Sequence, residues 1–229
     1  MSLFITFEGG EGSGKSTQAR LLAARIAGQR LPVTLVREPG STPLGQRLRG
    51  LVKGMSMSPT AELLLFGAAR AELVATVIEP HLARGRIVVA DRYVDSTIAY
   101  QQYGRGLPAD VVSSVNRLAS GGRMPDLTFL LDLPPDEGLK RVGRAPRPDD
   151  PGHLRFEQEA LGFHRRVRAG YQALAKREPA RWVAIDALQP REAIEEQVWG
   201  EVRSRLRSPM GPSATPDLID LTDLAAPAA

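Results

Sequence analysis

The stretch FEGGEGSGKST, residues 7–17, holds residue types that bind phosphate. Its Gly9, Gly14, Lys15 and Ser16 match the spacing G-x-x-x-x-G-K-[ST]. Glycines let consecutive backbone N–H groups point at phosphate oxygens, and the helix that follows presents its positive end to the same anion. A flexible glycine-rich turn is the alternative interpretation. Because the stretch lies between an apolar run and an amphipathic run, we favour a nucleoside triphosphate site.

A carboxylate and an arginine follow the apolar run RIVVAD, residues 86–91. Such a run is typical of a strand, and the carboxylate of Asp91 at its end could hold Mg²⁺ beside the phosphate loop. Ser16 offers a hydroxyl to the same ion. Arg92 comes directly after Asp91, so an ordinary ion pair at the end of the strand is the alternative.

An arginine also lies on an apolar helical stripe in LLLFGAARAEL, residues 63–73. Phe66 and Arg70 are one turn apart, in line with Leu63 and Val74. A phenylalanine at this spacing usually belongs to the core, but an unpaired buried charge is costly. We therefore expect this face to open on a site that offers Arg70 an anionic or carbonyl partner.

An alternating β/α scaffold would bring these residues together. Five short apolar runs alternate with amphipathic stretches, several of which begin with proline, and runs that are apolar on successive residues are typical of strands covered on both faces. The pattern predicts one parallel sheet with helices on both faces and ligands at the carboxyl ends of its strands. The runs are LFITFE (3–8), VTLVRE (33–38), RIVVAD (86–91), LTFLLDL (127–133) and RWVAID (181–186). The residues expected at the strand ends are Glu8, Glu38, Asp91, and Asp132 or Asp186.

Composition narrows the class of protein. The chain of 229 residues has no cysteine, which excludes disulfides and thiolate metal sites and fits a reducing cytoplasm. No apolar run approaches the length of a membrane span, so we expect a soluble cytoplasmic protein without a membrane partner. The net charge is +4, or +7 over residues 1–207. With no long Lys/Arg run and 5% aromatic residues, we expect small phosphorylated ligands and no nucleic acid.

Two segments depart from the β/α rhythm. Residues 141–155 combine four arginines and three prolines without an apolar period, which indicates a basic loop. Residues 208–229 are rich in Pro, Ala and Ser and offer little apolar surface. We therefore predict one domain over residues 1–207, with a lid at about 141–156, and a disordered tail over 208–229.

The order and spacing of the motifs resemble the thymidylate kinase family from about residue 3 to 207. The matching motifs are FEGGEGSGKST, REPGSTPLG, LLLFGAAR, DRYVDSTIAYQ, GRG, PDLTFLLDLPPDEGLKR, RFEQE and FHRRVRAGY. The resemblance implies a P-loop NTPase fold and phosphoryl transfer from ATP to dTMP, giving dTDP and ADP for dTTP synthesis. It also implies Mg²⁺ as cofactor, ATP as co-substrate and a homodimer formed through helices within residues 60–82 and 108–119.

The same resemblance implies roles at the acceptor nucleotide. Phe66 would stack on thymine and Arg70 would bond its carbonyl, while Thr97 and Gln101 read the base edge. Tyr100 would pack under the deoxyribose and exclude a ribose.

Further roles concern phosphate and metal. Arg49 and Arg92 would grip the monophosphate, Glu8 would lie by the sugar hydroxyl, and Glu38 would form the family's cis peptide with Pro39. Arg141 would lie over the adenine. The implied ATP-binding loop and metal ligands are Gly9, Gly10, Glu11, Gly12, Ser13, Gly14, Lys15, Ser16 and Thr17, with Ser16 and Asp91 for the metal.

The family divides by whether its catalytic arginine lies in the phosphate loop or in the lid. Here the variable loop positions 10–13 contain no basic residue. The resemblance therefore implies that the catalytic arginine lies in the lid, as in the bacterial type of the family. The best match is Arg155, acting with Lys15 and Arg92. The lid arginines considered are Arg141, Arg144, Arg147 and Arg155.

Two alternatives remain. Another nucleoside monophosphate kinase would share the loop and lid but need a different base pocket. A P-loop ATPase acting on nucleic acid would suit the basic charge, but it typically carries Asp-Glu where residues 91–93 read Asp-Arg-Tyr.

Overall fold

The computed structural model describes residues 2–144 and 154–207. Five parallel strands form one sheet in the spatial order β2-β3-β1-β4-β5. All five predicted strands are confirmed. They are β1 Leu3–Glu8, β2 Val33–Arg37, β3 Ile87–Asp91, β4 Leu127–Asp132 and β5 Trp182–Asp186.

Helices join the strands, and three of them begin at a proline: Pro43, Pro59 and Pro135. The α-helices are α1 Lys15–Gly28, α2 Pro43–Gly54, α3 Pro59–Leu73, α4 Glu79–Ala83, α5 Val94–Thr97, α6 Ala109–Ser120, α7 Pro135–Arg144, α8 Leu154–Glu157, α9 Leu161–Arg177 and α10 Arg191–Arg207. Two π-helical segments, Val74–Ile78 and Ile98–Gly104, follow α3 and α5 directly.

Successive side chains of the central strands enter different core layers. In β1, Leu3, Ile5 and Phe7 belong to the layer that α1 and α10 cover, whereas Phe4 belongs to a layer on the opposite face. This alternation is what a sheet covered on both faces requires. It explains why the strands read as continuous apolar runs.

The strand ends are level with one another at one edge of the sheet. Phe7 of β1 and Arg37 of β2 both pair with Asp91 of β3. Asp132 pairs with Asp186 at the ends of β4 and β5. The residues that follow the strands therefore meet at this edge.

The loop after β1 lies directly against the first turns of α7. A Cβ atom on Gly138 would collide with the backbone carbonyl of Glu11, and one on Gly12 would collide with the backbone of Gly138. Gly12 also has a φ of 69°, which strains any other residue. The sequence analysis did not identify this contact.

No helix within residues 2–144 and 154–207 has both the length and the apolar character that a membrane span needs. Most of the predicted lid, including Arg147, and the predicted tail at 208–229 lie outside the described residues.

We predict that Gly138→Ala lowers the melting temperature by several degrees, because overpacking against backbone costs ~1–3 kcal/mol and each kcal/mol is worth about 2–4 °C in a chain of this size. Gly143→Ala is the matched control, since it lies in the same helix and its Cβ would meet no atom within 4 Å. Calorimetry on both variants tests this. Equal melting temperatures would contradict the close contact, because both changes raise helix propensity alike.

Candidate active site

The glycine-rich loop wraps around the side chain of Lys15, the first residue of α1. Gly14 precedes it with a φ of 93°, a conformation that glycine adopts without strain. Lys15 Nζ donates to the carbonyl of Gly10 at 2.6 Å and to the Ser13 hydroxyl at 3.2 Å. Burial lowers the pKa of Lys15 to about 8, against the opposing pull of neighbouring carboxylates. A phosphate inside the loop would be a stronger partner for this buried cation.

A hydroxyl and a carboxylate meet beside the loop, as the sequence predicts. Ser16 Oγ donates a hydrogen bond to Asp91 Oδ2. Oxygen donors of this kind suit Mg²⁺, which binds proteins through one or two side-chain oxygens and takes its other ligands from phosphate and water. This pair therefore fits the ion.

The Arg92 guanidinium lies between the loop and the neighbouring helices. Its NH2 donates to Glu11 Oε1 at 2.9 Å and to the Tyr100 hydroxyl at 3.1 Å. Its NH1 contacts the Ser96 and Tyr171 hydroxyls at 3.2 and 3.3 Å. Arg92 has a φ of 74°, so its backbone adopts an uncommon conformation at the end of β3.

Glu11 is held as an anion inside the site. Burial raises the pKa of its carboxyl, but Arg92, Lys15 and a hydrogen bond from Tyr100 outweigh burial and lower this pKa to about 2. The Tyr100 hydroxyl donates to Glu11 at 2.7 Å, and burial raises the pKa of this phenol, which keeps its proton.

Glu8, at the end of β1, is a fully buried carboxylate. It accepts hydrogen bonds from the backbone N–H of Tyr93 at 2.8 Å, from Ser96 Oγ at 2.5 Å and from the Tyr171 hydroxyl at 3.0 Å. Burial and the nearby Asp95 carboxylate raise the pKa of Glu8 to about 7, against these hydrogen bonds. The group therefore titrates near neutral pH.

Arg70 finds an anionic partner, as its place on an apolar stripe led us to expect. Its Nε and NH2 bond the Glu38 carboxylate at 2.9 and 2.7 Å, and both side chains are buried. NH1 donates to Asn116 Oδ1 at 2.6 Å, and NH2 also reaches the Tyr93 carbonyl. The Glu38–Pro39 peptide is cis.

One pocket gathers the residues expected at the base. Phe66 and Phe156 lie with ring centroids 6.2 Å apart, and Tyr100 meets Phe156 edge-on at 5.8 Å. Gln101 donates from Nε2 to Glu62 at 2.8 Å. The pocket is lined by Glu11, Glu38, Phe66, Arg70, Arg92, Ser96, Thr97, Tyr100, Gln101 and Phe156.

Three predicted arginines have partners outside this pocket. Arg49 NH1 donates to the Pro39 carbonyl at 3.2 Å, close to the buried Glu38. Arg141 NH1 donates to the Ala187 carbonyl at 3.0 Å. Arg155 NH2 bonds Glu62 at 2.6 Å and its NH1 reaches the Val52 carbonyl. The side chain of Arg144 lies outside the described residues.

Sequence reasoning missed several polar residues of the site, namely Glu62, Ser96, Asn116 and Tyr171. Glu62 has a readable signal, because it lies one turn before Phe66 and two turns before Arg70 on one helical face. Ser96 and Tyr171 fall within motifs noted above. Asn116 has no signal apart from its place in α6, since its partner Arg70 is 46 residues away.

Comparisons with known proteins agree with this geometry. A family model described as thymidylate kinase matches residues 7–198. A thymidylate kinase of Thermomicrobium roseum is 50% identical over 203 residues, which cover 88% of this chain and 95% of that relative. One of Roseiflexus castenholzii is 47% identical over 219 residues, covering 91% and 96%. One of Deinococcus radiodurans is 46% identical over 205 residues, covering 89% and 97%.

The raised pKa of Glu8 predicts a pH-dependent stability that Glu8→Gln lacks. The unfolded carboxyl titrates near 4.5 and the folded one near 7, so its stabilising contribution is complete below pH 4.5 and is lost as the pH rises through 7. The loss amounts to about 3 kcal/mol.

Urea unfolding between pH 4.5 and 8 measures this contribution. The free energy of unfolding of the wild type should fall relative to Glu8→Gln across that range. Lys15 titrates in both proteins, and because Glu8 is a minor cause among those that shift the pKa of Lys15, most of the Lys15 effect cancels in the difference. A difference that stays constant with pH would contradict the assignment.

Proposed function

The chain belongs to the thymidylate kinase family, and from this premise we propose how its residues transfer a phosphoryl group from ATP to dTMP. The products are dTDP and ADP, the fold is that of a P-loop NTPase, and no observation favours another monophosphate kinase or a nucleic-acid ATPase. One observation carries the assignment of sites. Glu11 belongs to the phosphate loop and also lines the pocket of Phe66 and Arg70, so donor and acceptor sites adjoin.

ATP would occupy the loop over residues 9–17. Lys15 would exchange its bonds to Gly10 and Ser13 for phosphate oxygens. Arg141, which donates to the Ala187 carbonyl beyond β5, would lie over the adenine. Ser16 and Asp91 would hold Mg²⁺, and the ion would supply positive charge that offsets the negative charge of the phosphates.

The acceptor would occupy the pocket, with thymine against Phe66 and the sugar over Tyr100. Arg92 and Arg49 would hold the monophosphate, and Glu8 would lie near the sugar hydroxyl. The contacts of Arg92 with Glu11 and Tyr100 support its place between the two nucleotides. Thr97 and Gln101 would face the base edge.

The acceptor needs no general base. The second pKa of a phosphate monoester is ~6, so its oxygens are largely deprotonated at neutral pH. The obstacle is repulsion between two anions that must meet in line. Lys15, Arg92 and a lid arginine would offset it, and an arginine of this kind contributes ~10³ to 10⁵ in rate in other phosphoryl-transfer enzymes.

Arg155 would be that arginine. In the structure its guanidinium pairs with Glu62 at 2.6 Å and lies over the Phe156 ring at 5.1 Å, at the border of the acceptor pocket. Its move to the phosphates would replace one anionic partner by another. We also propose that residues 1–207 form the kinase domain, with a lid at about 141–156.

We further propose a cytoplasmic homodimer. Apolar side chains on three adjoining helices face solvent: Leu44 and Leu51 on α2, Leu64 on α3, and Val111 and Leu118 on α6, where Leu118 is 86% exposed. Exposed apolar patches of this kind often mark subunit interfaces. A monomer in sedimentation equilibrium at micromolar concentration would contradict the dimer, and recovery in a membrane fraction would contradict the location.

A coupled assay of ADP formation with each nucleoside monophosphate tests the reaction. We expect activity with dTMP that requires Mg²⁺, and kcat/KM at least about tenfold lower for dCMP, because the donor Arg70 cannot bond an amino group. dUMP keeps the carbonyl and should react more slowly than dTMP. Efficient phosphorylation of dCMP or GMP would overturn the base assignment.

Arg155→Ala tests the lid arginine. Because the side chain would act on the transition state, kcat should fall at least about 10³-fold with little change in either nucleotide's KM. Arg141→Ala is the control. Because Arg141 would lie over the adenine, its loss should raise the KM for ATP instead of lowering kcat. Equal losses in kcat and in binding for Arg155→Ala would make Arg155 an ordinary binding residue.

A further inference from the structure

Glu62 is a fully buried carboxylate in the first turn of α3. Its oxygens accept hydrogen bonds from Arg105 Nε at 3.1 Å and NH2 at 3.2 Å, and its Oε2 forms an ion pair with Arg155 NH2 at 2.6 Å. They also accept from Gln101 Nε2 at 2.8 Å. Three side chains thus converge on one anion, and only Gln101 among them lines the base pocket.

The contact with Glu62 fixes which way the Gln101 amide faces. A carboxamide has a donor end and an acceptor end, whereas a carboxylate held by two guanidinium groups offers acceptors alone. The NH2 group of Gln101 must therefore face Glu62. The carbonyl Oε1 is the end that remains for a ligand.

Arg70 complements this acceptor with a donor. Among the described residues, Glu38, Asn116 and the Tyr93 carbonyl take four of its five N–H groups, which leaves one on NH1. Arg70 therefore keeps one N–H donor and Gln101 one carbonyl acceptor, and both side chains line the pocket. Thymine matches both, with a carbonyl at position 4 and an N–H at position 3. Cytosine mismatches both, with an amino group and an unprotonated nitrogen.

We propose that Glu62 is a positioning residue for base specificity, which it sets by orienting the Gln101 carboxamide. This inference rests on the proposed place of the base in the pocket. It extends that proposal to a residue that touches no substrate. The orientation would hold whether or not a nucleotide is bound, because Glu62 and Gln101 are both buried.

The test compares dTMP with 5-methyl-dCMP, which differs from it only at positions 3 and 4 of the base. Glu62→Gln keeps the shape but adds an N–H donor, so the Gln101 amide can turn and present its NH2 group to the base. We expect the ratio of kcat/KM for dTMP over 5-methyl-dCMP to fall at least about tenfold, the scale of one mismatched buried hydrogen bond.

Glu159→Gln is the matched control. Glu159 also pairs with Arg105, at 2.5 Å, so this variant removes a neighbouring charge without touching Gln101. Its ratio should stay within about threefold of the wild type. An unchanged ratio in Glu62→Gln, or an equal fall in both variants, would overturn the proposal. A wild type without preference for dTMP would instead refute the base pocket itself.

A measurement on the unmutated chain covers the case in which Glu62→Gln does not fold. In the complex with dTMP, the side-chain amide protons of Gln101 should show stronger nuclear Overhauser contacts to the methylene protons of Glu62 than to thymine N3–H. Contacts to thymine N3–H without contacts to Glu62 would overturn the orientation.

Discussion

The arrangement of the site depends on the hydrogen bonds of the Arg92 guanidinium. The edge of the sheet brings Glu8, Glu11, Lys15 and Asp91 out of water together, and charges buried without partners are too costly to keep. Arg92 bonds Glu11 directly, and through the Ser96 and Tyr171 hydroxyls it is joined to Glu8. The same group lies over the Tyr100 ring at 4.9 Å. One side chain therefore fixes the loop, the strand end and the π-helical segment relative to one another.

Burial shifts the pKa values of the charged groups in the site. Lys15 and Glu8 both have pKa values displaced toward the neutral form, chiefly by desolvation, whereas that of Glu11 is displaced toward the charged form by two cations. Groups that are already desolvated and held by fixed partners need less solvent reorganisation when phosphates bind. The shifted pKa values of Lys15 and Glu8 indicate that this preorganisation lowers the stability of the folded protein.

Local signals in the sequence predicted the fold and the loop, because the strand runs and the phosphate motif depend on neighbours along the chain. The strand LFITFE matches Leu3–Glu8 residue for residue. The sequence did not predict contacts between residues that are far apart in the chain. Examples are the contact of Gly138 with the phosphate loop and that of Asn116 with Arg70. The π-helical segment Ile98–Gly104 is a third case. No local pattern in its sequence predicts the hydrogen bond from Arg105 N to the Tyr100 carbonyl, five residues back.

In the proposed mechanism, Glu62 would link two functions, namely reading the base and closing on the phosphates. Arg155 and Gln101 bond the same carboxylate, so removal of one could disturb the other. Arg105 would prevent this, because its two bonds to Glu62 come from a residue outside the proposed lid and are reinforced by its position over the Phe163 ring at 4.6 Å. If Arg155 moved to the phosphates as proposed, Glu62 would keep a cation and Gln101 would keep its orientation. Base selection would thus stay fixed while the arginine proposed to complete the phosphoryl-transfer site moved.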